Sequence, residues 1–289
     1  MRRLCTTVFL GWLTIFGFAQ TSENNSQSEV SFAFHLFENR QFEDLFVLFE
    51  HASLEFRQND SINHIVGMAH YYRKELQRAA YHFSKVSRES VFYDKSVFFR
   101  SLCYTHLGEL ATAEAILEDY SATAINDTIF EELVATNLAG IALLNRDFEL
   151  FDKHARNFRF EQHYFFNSQN QLLNVRHTLE NHRRRSPAFA GVLSAIVPGA
   201  GQVYAGQLGE GVAAFLTVGS FAAITAENWS RNGLVNWKTI LFGTIGTVFY
   251  IGNIYGSVAT VNFQRNQFNE EQNITILLGI HLPIRAVFR

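Results

Sequence analysis

Three prolines in 289 residues leave few places where a helix is forced to stop. Two cysteines, Cys5 and Cys103, exclude a disulfide framework or a multi-cysteine metal site within one chain. A net charge of −3 gives no general electrostatic case for nucleic-acid binding. Charge is scarcest between Pro187 and Gln264, where only Glu210, Glu227, Arg231 and Lys238 carry it. A His-Glu-x-x-His zinc motif, a phosphate-binding Gly-rich loop with Lys-Ser/Thr and a Gly-x-Ser-x-Gly elbow are all missing. The eleven histidines are scattered. His64 and His70, six apart, do not share a helix face and read as surface or half-buried groups. Glu131-Glu132 and Glu270-Glu271 are adjacent pairs that diverge on a helix and read as solvated charges. The expectation is a chain that is not an enzyme, with no catalytic residue, no metal ligand and no cofactor.

Phenylalanine is what the chain has in quantity, at 29 residues. Many bulky apolar rings with few breakers predict long helices with buried faces. Met1-Arg2-Arg3, an uncharged apolar run over Leu4 to Phe18, then Ala19-Gln20-Thr21 and a polar Asn/Ser stretch keep the order of a secretory signal peptide. Cleavage after residue 20 and retention as an anchor both export the remainder of the chain. Cys5 precedes the apolar run, so a lipoprotein cleavage site is not expected, and Cys103 reads as a buried structural thiol.

An internal period organises the next part of the chain. The anchors Phe42, Leu76, Leu110 and Phe148 are spaced 34, 34 and 38 residues apart. Nine residues before them stand Ala33, Gly67, Ser101 and Ala139, all small. Apolar residues recur three, seven and ten positions after each anchor, among them Leu45, Ala79, Ala113 and Phe151 at the third. This predicts helix hairpins: a small residue in the first helix admits the second closely, and the anchor starts one apolar stripe. Turns are expected at Asn39-Arg40-Gln41, Arg73-Lys74, Leu107-Gly108-Glu109 and Asn145-Arg146-Asp147. The pattern resembles the tetratricopeptide repeat over about residues 30–160, best at Gly67, Leu76, Ala79 and Phe83 and at Ser101, Tyr104, Gly108, Leu110 and Ala113. It departs from that family in lacking the junction proline and in placing Phe151 where a small residue belongs. A non-repetitive helical bundle is the alternative. Asn167 to Arg185 reads as a capping helix ending in His182-Arg183-Arg184-Arg185, either a solvated helix end or a contact for anionic lipid.

Three apolar segments come next: Pro187 to Tyr204, Gly211 to Ala226 and the uncharged run Thr239 to Gln264. The last is 26 residues, long enough to cross a bilayer. Trp229, Trp237, Arg231 and Lys238 between the last two suit a membrane interface, and a buried soluble hairpin is the alternative. The string Ser194-Ala195-Ile196-Val197-Pro198-Gly199-Ala200-Gly201-Gln202-Val203-Tyr204-Ala205-Gly206, with Gly211 after it, resembles the Pro-Gly-x-Gly-Gln-x-Tyr signature of small bacterial membrane domains that follow tetratricopeptide repeats in exported proteins. Asn253, Tyr255 and Gly256 resemble that family's second element. The resemblance implies membrane residence and brings no activity with it. Pro198 breaks the helix, Gly199 and Gly201 permit a reversal, and Gln202 can satisfy backbone opened there.

The expected architecture is all-α: a signal peptide over 1–20, a polar linker over 21–29, a tetratricopeptide-like solenoid with its cap over 30–185, a helical membrane domain over 186–268 and a tail over 269–289. In the tail Ile274, Ile276, Leu278, Ile280, Leu282 and Ile284 share one parity, which predicts a short strand. The expected role is an exported scaffold in a bacterial cell envelope, with the repeats periplasmic, a protein or peptide partner on the repeats, membrane lipid around 186–264 and no nucleic acid. The alternative makes the membrane domain primary, as an accessory subunit of a transport or assembly complex.

Overall fold

The computed structural model describes residues 27–123, 127–160 and 163–289. The leader, with Cys5, lies outside the described residues. All described regular structure is helical, and it falls into two compact units. One comprises the described residues up to Arg176 together with Ile276–Arg289, and the other is His177–Thr275.

The first unit opens with α1 (27–38) and α2 (Phe42–His51), joined by a short helix α3 (Leu54–Gln58) to the pair α4 (Asp60–Tyr72) and α5 (Leu76–Phe83). Two further pairs come after it, α6 (Tyr93–Leu107) with α7 (Leu110–Thr123), and α8 (Thr128–Leu144) with α9 (Phe148–Ala155). Each of the four anchors is the first residue of a second helix. From α4 to α9, each helix packs on the next. Polar caps set the starts: Asn59 accepts from the N–H groups of Ser61 and Ile62, Asp127 from Ile129, and Asp147 from Leu150.

All four hairpin turns have one geometry. The residue two before the anchor has a positive φ: Arg40 at 58°, Lys74 at 62°, Gly108 at 79° and Arg146 at 61°. The next N–H then reaches back to an earlier carbonyl, Gln41 to Leu36, Glu75 to His70, Glu109 to Tyr104 and Asp147 to Ala142, each at 2.9 Å. This is a left-handed helix stop of the Schellman kind, which satisfies carbonyls the helix end leaves open. Only Gly108 adopts it without a Cβ penalty.

Ala33, Gly67, Ser101 and Ala139 are all buried. A Cβ at Gly67 would stand 2.8 Å from Phe83 Cδ1, so any side chain here would have to displace the Phe83 ring. Ser101 Oγ donates to the Ala113 carbonyl at 3.0 Å. Leu45, Ala79, Ala113 and Phe151, three after each anchor, have no exposed surface. Cys103 is free and buried, and burial pushes its thiol up to about 12.

α10 (His163–Asn181) comes after the pairs, then α11 (Pro187–Ile196), α12 (Ala200–Tyr204), α13 (Leu208–Asn232) and α14 (Trp237–Val287). The tail is therefore not a strand: α14 runs through it without interruption, past Pro283. The shared parity splits on a helix into two ladders of period four. Ile276, Ile280 and Ile284 are buried, whereas Ile274, Leu278 and Leu282 are each about half exposed. The buried ladder belongs to the first unit's core. A Cβ on Gly140 of α8 would stand 2.4 Å from Ile280 Cγ1, and one on Gly279 would stand 3.2 Å from Leu172 of α10. Tyr71 of α4 meets His281, and Phe98 of α6 and Phe130 of α8 both pack on Phe288.

α13 and α14 are each long and apolar enough to cross a membrane, and their apolar windows are only 11% buried. A hairpin buried inside its own protein would show the reverse. Phe215, Leu216, Val248 and Phe263 all face outward.

Candidate functional site

The helix break of the second unit is held by a network of hydrogen bonds. α11 ends at Ile196, Gly199 takes a φ of 88°, and α12 restarts at Ala200. The restart leaves backbone donors open. Asn253 of α14 closes one, its Oδ1 accepting from the Gly199 N–H at 3.0 Å. Ser194 Oγ closes another, accepting from the Gly201 N–H at 3.0 Å. Gln202 does not bond the break's own backbone. Its Nε2 donates to the Asn253 carbonyl at 3.3 Å, and its Oε1 accepts from Ser194 Oγ at 3.4 Å. Ser257 and Tyr250 tie α14 to α11 through the carbonyls of Ala190 and Ala195.

The glycines are close-packed as well as conformationally needed. A Cβ at Gly199 would stand 2.0 Å from the Gly211 carbonyl oxygen, and one at Gly201 would stand 2.2 Å from that of Ala190. Gly211 meets Val203 and the Gly199 carbonyl in the same way. Gly206, φ 89°, repeats the left-handed stop of the first unit, with Gln207 N–H bonded to the Gln202 carbonyl at 2.8 Å. The two sequence elements are thus brought together: Pro198, Gly199, Gly201, Gln202 and Gly211 lie at the break, and Asn253 and Gly256 lie beside it on α14. Tyr255 is not part of this contact and is exposed. Tyr204 faces the start of α11, its hydroxyl accepting from the Ser186 N–H at 3.0 Å. Tyr250 is a participant that motif reasoning did not single out. Only its partner, the Ala195 carbonyl 55 residues earlier, reveals it.

In the first unit, two polar readings need correction. Glu132 is buried, not solvated, with its Oε1 accepting from Gln169 Nε2 at 2.9 Å and from the Arg159 N–H at 3.2 Å. His64 and His70 are buried as well. His64 Nδ1 lies 2.8 Å from Ser96 Oγ, and its ring stacks on Phe92. His70 sits between the rings of Phe46 and His82, with Glu75 2.8 Å from its Nδ1. Burial lowers the pKa of all three imidazoles, His64 to about 3 and His82 to about 4. Neutral, hydrogen-bonded and packed against aromatic rings, they belong to the core.

Fold and site together define an all-helical protein with two helices capable of crossing a membrane. No protein-family model matches the chain, and no curated protein or solved structure matches it either.

Proposed function

We propose that this protein is an exported scaffold, a tetratricopeptide-like solenoid fixed in a bacterial envelope membrane by α13 and α14 and binding a protein or peptide partner. The observation that carries the reading is the recurrence of one turn geometry at four equivalent positions, in a chain that also bears two outward-facing apolar helices. Equal turns at a fixed offset from equivalent anchors are what stacked repeats require.

The partner surface lies on the second helices. The first-helix face of the later pairs already holds residues of α14's last turns, through Tyr71, Phe98 and Gly140. On the other side, Phe49, Leu54, Tyr81 and Lys85 line a cavity of about 380 Å³, with Leu54 and Tyr81 exposed. A photo-crosslinking residue at Tyr81 of the full chain, in carbonate-washed membranes, tests both halves of the reading. A discrete adduct from washed membranes is expected. Release of the protein by carbonate refutes anchoring. Adducts from Phe215 but not from Tyr81 would instead favour a membrane domain docked in a transport or assembly complex.

A further inference from the structure

The second unit contains a cavity of about 640 Å³ lined by Arg183, Arg184, Arg185, Arg265, Tyr204 and Gln264. Val261 forms part of its wall, and His182, stacked on Phe268, forms another. No carboxylate lines it. Three of the arginines come from the segment before α11, and Arg265 comes from α14. Cations gathered around one cavity without an acid repel one another, and a bound anion removes that cost.

The polar groups divide into fixed and uncommitted. Arg185 is fixed, donating to the Ala205 carbonyl and to Gln264 Oε1, while Gln264 Nε2 donates to the same carbonyl at 3.1 Å. The left-handed turn at Gly206 brings its backbone against this guanidinium: a Cβ there would stand 3.1 Å from Arg185 Nη1. Tyr204 accepts a hydrogen bond from Ser186 and keeps its own proton to donate. Arg183, Arg184 and Arg265 have no hydrogen-bond or ion-pair partner among the described residues. Their planar forks match the paired oxygens of a phosphate. The cavity also opens where α11 begins, and the outward-facing Phe189, Val192 and Ile196 come directly after.

We propose that this cavity binds a phosphate oxyanion, presented by the head group of an anionic phospholipid at the polar end of the apolar helices. The lipid source rests on the proposed membrane anchoring, whereas the phosphate chemistry does not. Each uncommitted arginine strengthens binding of such a head group by about fivefold.

The test uses the full chain in neutral detergent, with thermal unfolding as readout. Dihexanoylphosphatidylglycerol, dihexanoylphosphatidylcholine and inorganic phosphate are titrated separately. The glycerol lipid should raise the melting temperature, and the choline lipid of equal chain length should not. Arg183→Gln with Arg265→Gln should weaken the response by more than tenfold, and so should raising the salt on the unaltered protein, since screening shortens the reach of the charges. An equal shift with inorganic phosphate keeps the anion site and overturns its lipid source. Identical responses to the two lipids with none to phosphate, or a response indifferent to salt, overturn the proposal. A carbonate-extractable protein that still responds to phosphate would sink the membrane reading and leave the site standing.

Discussion

Acidification should loosen the first unit, and His64 allows the effect to be worked out. This imidazole is 3% exposed, stacked 4.8 Å from the Phe92 ring centroid and bonded to Ser96. Burial, with a smaller contribution from Lys95, lowers its pKa from 6.5 to about 3. Between those values the unfolded chain holds a proton that the folded chain refuses, so stability rises with pH across that window. The contribution is fully present above 6.5 and is lost as pH falls toward 3. One pKa unit corresponds to about 1.4 kcal/mol, so descending from pH 6.5 to 5 costs about 2 kcal/mol at this residue. His82, lowered to about 4 by burial and then by His70 and Lys85, loses a similar amount over the same interval. Together that is a large share of the roughly 5–15 kcal/mol by which a domain is stable. Thermal unfolding at pH 7 and pH 5, for the unaltered chain and for His64→Gln, measures it. Glutamine keeps a polar partner for Ser96 and cannot take up the proton. The variant should therefore lose about 2 kcal/mol less on acidification, several degrees in melting temperature. Parallel losses in the two proteins would refute a neutral buried imidazole at this position.

Gly67→Leu drives a side chain into Phe83 and should cost about 1–3 kcal/mol, measured as a drop in melting temperature. An unchanged melt would count against the close helix crossing. Gly108→Ala meets no atom within 4 Å, so its expected cost of about 1 kcal/mol is purely that of a positive φ. Lys74→Ala, already without glycine's freedom at the equivalent turn, should leave stability nearly unchanged, and equal losses at the two sites would contradict the shared geometry. Asn253→Leu leaves the Gly199 N–H unpaired in a buried place and should cost about 1–3 kcal/mol in detergent. Asn253→Asp, which keeps the acceptor, should recover part of it, and indistinguishable variants would deny the hydrogen bond its role.

The helix pairs were legible because small residues and anchors recur at fixed offsets, and such offsets survive in a one-dimensional string. The turn geometry was not, since Arg40, Lys74 and Arg146 occupy left-handed positions where only Gly108 announces one. The tail misled for a definite reason. A period of two contains a period of four, and Ile276, Ile280 and Ile284 satisfy both. Helix α14 simply continues, and burial then chooses one of its two ladders. Glu132 and His64 looked like surface groups because their partners are remote: Gln169 is 37 positions from Glu132, and Ser96 is 32 from His64. At the helix break, residue types suggested Gln202 as the group that satisfies opened backbone, yet Asn253 and Ser194 do so. Both were visible in the string, but nothing local paired Asn253 with a glycine 54 residues earlier.

The tail's place in the first unit also changes what a truncation means. Cutting before the apolar helices looks from the sequence like a clean way to obtain the repeats alone. It would remove Ile276, Ile280 and Ile284, at most 1% exposed, leave the place beside Gly140 open, and take Gly279 away from Leu172. Burying one such side chain is worth about 1.5–3 kcal/mol, so the three together amount to roughly 5–9 kcal/mol, comparable with the whole stability of a domain. The fragment 27–176 should therefore lack a cooperative thermal transition, with fast amide exchange in α8. A synthetic peptide of residues 276–289, added in trans, should restore both. The peptide is short for a stable helix in free solution, so its gain in helicity on mixing, seen by circular dichroism, reports docking directly. A fragment that melts cooperatively without the peptide, with α8 as protected as in the full chain, would show that the tail covers a finished surface and does not complete a core.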